Sequence, residues 1–179
     1  DLYLKNKLSA ISKFILVGGD FPVDIKALHR GVHGAESVTF AREIGSLRMA
    51  VADNVYCKDQ AVALQQQHQD VLSIKVLDKE ELKKEELNLI LAVNQGSTIP
   101  PFIVGIEYTP PNYVESEDKA PYAFVGKNLT FDTGGMDLKP AAGMLEMHID
   151  KLGGCNTLSL MRYLALTRPR ISRKIVGVM

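Results

Sequence analysis

The chain has 179 residues, of which 46% are hydrophobic and 23% charged, the balance of an ordinary globular protein with room for one sizeable core. Its 21 basic residues offset its 21 acidic ones, which argues against a general nucleic-acid or anionic-membrane binder, since either needs a basic excess. No run of 18 apolar residues could span a bilayer, and no basic-then-apolar leader opens the chain.

Taken in chain order, "SKFILVGGD" at 12–20 predicts a buried strand stopped by Gly18-Gly19. From Asp24 to Met49 apolar residues recur at three- and four-residue steps, which predicts a long amphipathic helix with Asp24 as N-cap. Such a helix suits a link between two domains. A second helix is expected over Gln60–Asp70, then a strand at 71–77, then a charged helix capped by Asp78. Strands are also expected at 101–108 and in "YAFVG", and a helix from Gly153-Gly154 to about Leu166. Strands alternating with helices predict an α/β fold, its mostly parallel or mixed sheet flanked by helices. The chain opens on Asp1 and stops at Met179 within the apolar run "KIVGVM", so we expect a piece of a longer polypeptide.

Cys57 and Cys155 stand far apart with no partner at metal-ligand spacing, so they read as free thiols of a reducing, cytoplasmic compartment. Cys155 reads as packing, because no basic partner is apparent to activate it. His29, His33 and His148 read as ordinary surface or core residues, with a supporting position beside a ligand open to His148.

The densest chemistry lies in "VGKNLTFDTGGMDLK" at 125–139. Lys127 falls just past a strand, Asp132 ends the run "LTF", and Gly134-Gly135 permit a sharp turn. Asp150 precedes the next helix. In a parallel α/β sheet such groups gather beyond the C-terminal strand ends. Carboxylates suit hard divalent ions, and a lysine can ligate only as the neutral amine. A second lysine kept charged could stabilise an oxyanion. A surface turn decorated with charges has the same composition, and the residues alone leave both readings open.

The order and spacing go further. "VGKNLTFDTGGMDLKPAAGMLEMHID" resembles the signature of the M17, or leucyl aminopeptidase, family, in which V-G-K-G-x-T-F-D-S/T-G-G-x-x-x-K-P is followed by an Asp after a Met-x-x pair. Upstream, "LAVNQGSTIPPFIVGIEY" resembles the family's L-A-V-G-Q-G-S…P-P-x-L-I-x-L-E-Y run, and the likeness extends from about residue 40 to the end. The resemblance implies a cytosolic exopeptidase with two divalent ions, zinc or manganese, that removes leucine-like N-terminal residues from peptides and assembles as a hexamer. It implies Lys127, Asp132 and Asp150 as metal ligands, Asp132 bridging both ions, and Lys139 as the electrophilic catalytic lysine. Met136 is a candidate lining residue for the substrate pocket. It also implies that residues 1–23 end an N-terminal domain, 24–49 link, and 50–179 form the first half of the catalytic domain.

Three departures stand out. The family's later N-T-D-A-E-G-R-L segment, which supplies further carboxylates and an arginine, does not occur in these 179 residues. Where the family reads D-M-G-G or D-M-S-G, this chain reads Asp150-Lys151-Leu152-Gly153-Gly154, as if one residue and one charge were added beside the site. The family's N-x-P-x-N stretch is replaced by "AVADNVYCKD", where Asn54 has a counterpart. The alternative expectation is therefore a catalytically incomplete relative kept as a structural or interaction subunit.

Overall fold

The computed structural model describes residues 13, 15, 17, 19, 23–115 and 119–179, so the strand expected over 12–20 lies mostly outside the described residues. The first helix, α1, runs Ile25–Ser46, and Asp24 caps it by accepting from the Lys26 and Ala27 N–H groups. Helix α2 spans Asn54–Gln67, starting six residues before the predicted Gln60. The reason is Asp53, whose carboxylate accepts from Tyr56 N at 2.8 Å and satisfies an otherwise orphaned first-turn donor. Strand β1 (Leu72–Leu77) leads into α3 (Lys79–Lys84), where Asp78 and Glu81 form a reciprocal capping box. The apolar "NLILAV" is a short helix, α4 (Asn88–Val93), which a 3₁₀ turn at Asn94–Gly96 closes before β2 (Ile103–Tyr108). Then come β3 (Tyr122–Val125), α5 (Ala141–Met144), a 3₁₀ turn at Met147–Ile149, α6 (Leu152–Thr167) and β4 (Ile175–Val178).

The four strands form a mixed sheet in the order β1-β2-β4-β3. β1 with β2 and β2 with β4 are antiparallel, and β3 with β4 is the parallel pair. Along β2 the side chains alternate, with Val104, Ile106 and Tyr108 buried, because a period of two sends every second residue to one face. That face meets α2, through Cys57, Ala61 and Leu64, and α6, through Leu158 and Met161. Each large apolar side chain so enclosed contributes about 1.5–3 kcal/mol relative to exposure.

Helix α1 packs on α6, not on the sheet. Ser159 Oγ donates to Ser37 O at 2.6 Å across that contact, and Ile44 and Ala41 close its apolar side. The C-terminal end of α1 is therefore held beside the N-terminal end of α6, and the candidate site lies at that end of the molecule.

Candidate functional site

Hydrogen bonding between β3 and β4 continues one residue past the strand, with Gly126 N donating to Val178 O at 2.8 Å. Lys127 follows, just beyond the C-terminal end of β3 as the strand pattern predicts. The backbone of 126–128 then runs against the first turn of α6, where Gly154 N donates to Lys127 O at 2.7 Å. A Cβ on Gly153 would lie 2.8 Å from Lys127 N and 2.9 Å from its O, so the glycine pair that opens α6 serves close approach of two backbones. This contact brings Lys127 opposite Asp150. Lys127 Nζ lies 3.0 Å from Asp150 Oδ2. That oxygen is buried, with the Lys127 ammonium as its ion-pair partner.

The second pair forms within the loop. Gly134 and Gly135 have φ of 90° and 70°, left-handed values that glycine adopts without a Cβ penalty. The turn is closed by Lys139 N donating to Thr133 O at 2.9 Å. It folds Lys139 back so that its Nζ sits 3.3 Å from Asp132 Oδ2, while Asp132 Oδ1 accepts from Gly134 N at 2.8 Å. The Gly134 N–H, and then the Lys139 ammonium, hold the Asp132 carboxyl below the usual carboxylate range; Lys127 adds a smaller effect of the same sign.

Four of the predicted site residues are thus gathered at one end of the molecule as two cation–anion pairs. Met136 stands apart. It is 107% exposed at the tip of the loop, so within the described chain it packs in no pocket. A shallow hollow nearby is instead bounded by Met49, Ala50, Phe131, Leu145 and His148. His29 and His33 face each other on α1, the latter's Nδ1 3.4 Å from Glu36, and both lie outside the paired groups. Among the described residues, no three His, Cys, Asp or Glu side chains converge as a metal-binding group. By donor type, Asp132, Asp150 and the Lys127 amine suit a divalent ion, and a complete coordination shell would need carboxylates from beyond these residues.

Two residues matter here that sequence reasoning did not place. Asn54 joins three segments, donating to Pro100 O at 3.0 Å and accepting from Thr130 Oγ1 at 3.1 Å, which anchors the strand-like run before Asp132. Its signal was the isolated match of Asn54 to the family's pattern. Lys151, read above as an added charge beside the site, is wholly buried. Burial lowers its pKa, and its ammonium donates to Leu47 O and His148 O. His148 takes part through its carbonyl, not its ring. Cys57 and Cys155 are free and buried, and burial pushes the Cys155 thiol up to about 12.

The catalytic-domain profile of the cytosol aminopeptidase family matches residues 39–179. A probable cytosol aminopeptidase of Chromohalobacter salexigens is 36% identical over 148 residues, covering 83% of this chain and 28% of that protein. One from Alkalilimnicola ehrlichii is 35% identical, covering 86% of this chain and 29% of its own length. Among solved structures, a tomato leucine aminopeptidase mutant superposes with a TM-score of 0.74 at 24% identity, covering 89% of this chain and 29% of its own. The bottromycin maturation enzyme BotP, solved in complex with Mn, gives 0.74 at 25% identity, over 86% of this chain and 31% of its own. The chain therefore spans less than a third of the length of these relatives. Among its described residues no helix is long and apolar enough to cross a membrane.

Proposed function

The chain belongs to the cytosol aminopeptidase family, a family of peptidases, and we propose that it carries part of a metal-dependent site that releases leucine-like N-terminal residues from peptides. The observation that carries this reading is the convergence of Lys127 on Asp150 and Lys139 on Asp132 at one end of the molecule. Carboxylates and a lysine amine are donor types that a divalent ion takes, and a lysine ammonium is the type that meets a developing oxyanion.

In this reading Lys127, Asp132 and Asp150 would be the residues that hold divalent ions, zinc or manganese. When bound, such ions supply Lewis-acid polarisation of the scissile carbonyl and lower the pKa of water. Asp132, whose Oδ2 lies 3.3 Å from Lys139 Nζ, meanwhile orients that side chain. Lys139 then donates to the carbonyl oxygen as negative charge grows there, the transition-state interaction that raises rate. The remaining carboxylates come from outside this chain's described residues. Peptide substrates, a cytoplasmic location and a hexamer of the whole protein belong to the same proposal.

The test is hydrolysis of a leucine anilide, with added Mn²⁺ or Zn²⁺, by the polypeptide that also carries the remaining carboxylates. Activity that appears with metal and drops by at least about a thousandfold in Asp132→Ala is the expected result. Turnover surviving that substitution would refute the ligand role of Asp132. A second reading, a catalytically incomplete subunit, draws on the lack of a three-member ligand cluster among the described residues. It predicts no turnover with either metal while the fold and its partners persist.

A further inference from the structure

Lys151 is the one charged residue in the fully buried class among the described residues, at 0% exposure. An ammonium is costly to enclose unless its donors are used. Here they are used on backbone, not on a carboxylate. Nζ donates to Leu47 O at 2.6 Å and to His148 O at 2.5 Å, and none of the ion pairs among the described residues includes it.

The two acceptors lie on different elements. Leu47 is the C-cap of α1, where carbonyls lack helical partners and carry partial negative charge. His148 lies in the 3₁₀ turn Met147–Ile149, whose C-cap is Asp150. Local bonds shape that turn, Ile149 N to Glu146 O and Asp150 N to Met147 O, but they do not say where it sits. Lys151 does. It reaches back over the turn and ties it to the end of α1.

We infer that Lys151 is a positioning residue: a buried cation that fixes the turn bearing Asp150, so that the Asp150 carboxylate is preset for a divalent ion. The inference rests on Asp150 being a ligand. A hydrocarbon of equal length would fill the same volume but leave two part-buried carbonyls without this donor, freeing the turn to shift. Support of this indirect kind commonly sets ligand affinity by about 10- to 100-fold.

The test measures Mn²⁺ affinity by the electron paramagnetic resonance of free Mn²⁺, with thermal unfolding of the metal-free protein in parallel. Four proteins are compared: the unaltered chain, Asp150→Asn, Lys151→Met, and Leu64→Ala as a core variant remote from the turn. We expect Lys151→Met to bind Mn²⁺ at least about tenfold more weakly, while Leu64→Ala, destabilised but folded, binds as the unaltered chain does. Wild-type affinity in folded Lys151→Met would overturn the inference, and so would an equal loss in Leu64→Ala, which would mark a general effect of destabilisation. Should Lys151→Met not fold, Lys151→Gln, which keeps a shorter neutral donor, is read in the same way. If Asp150→Asn retains full affinity, the ligand assignment itself fails and takes this inference with it. If Asp150→Asn weakens binding and the Lys151 variants do not, only the role of Lys151 is lost.

Discussion

The two edges of the sheet are built differently. On the β1–β2 side, alternate residues of β2 disappear under α2 and α6, and Ile106 and Tyr108 are essentially inaccessible. At the opposite edge, all four residues of β3 are exposed, including Tyr122, Phe124 and Val125 at 80%. The candidate site follows directly from that exposed strand, in the loop from Lys127 to Asp150. Among the described residues, one edge thus secures the fold, while the other presents groups held by glycine turns and ion pairs.

The largest effect that would sharpen this contrast is expected in the core. Leu158→Ala, in a side chain 1% exposed on α6, should cost about 2–5 kcal/mol by urea denaturation. Next comes the seam between the halves. Gly153→Ala places a Cβ against the Lys127 backbone and should cost about 1–3 kcal/mol, as overpacking does. It should also move Lys127 away from Asp150, seen as weaker Mn²⁺ binding.

A smaller effect is expected from pH. Cys155 keeps its proton to about pH 12 when folded, against an ordinary value of 9.0. The folded chain therefore binds more protons than the unfolded one between these values, so this contribution to stability is complete below pH 9 and declines as pH rises above it. Lys151, with a lowered pKa, opposes this near its ordinary value of 10.5. Denaturation midpoints at pH 8, 9 and 10 in the unaltered chain and in Cys155→Ala check the slope, which the substitution should flatten. The smallest effect belongs to β3: Phe124→Lys, at a residue 45% exposed, should change stability by no more than about 0.5 kcal/mol. A larger loss would break the comparison, by showing that this edge is covered in the working protein.

Elements whose signals are local were legible in the sequence. Asp24 and Asp78 cap where the helical pattern begins, and α6 opens on its glycine pair. Asp53 was also a local signal, but the polar "DNVYCKD" hides the periodicity that would have drawn attention to it. Strand pairing was less accessible. Nothing within "LSIKVL" or "PFIVGIEY" states that they pair antiparallel, because register is set by contacts distant in the chain. The site divides in the same way. The identities and order of Lys127, Asp132, Lys139 and Asp150 were visible, whereas which lysine meets which aspartate depends on the 126–128 backbone meeting α6. Lys151 is the clearest limit: a lysine beside charged residues reads as solvated, and only the folded chain shows two carbonyls waiting for it.

The adjacent glycines of the 133–139 turn also answer to different constraints. An added methyl on Gly135 would meet nothing within 4 Å, so Gly135→Ala opposes only the handedness of the backbone, about 1–2 kcal/mol for an L-residue. On Gly134 the same methyl would lie 2.3 Å from Asp137 O, adding collision to handedness. Comparing Gly135→Ala with Gly134→Ala therefore separates the two roles of glycine within a single turn, handedness alone at one position and handedness with close approach at the next.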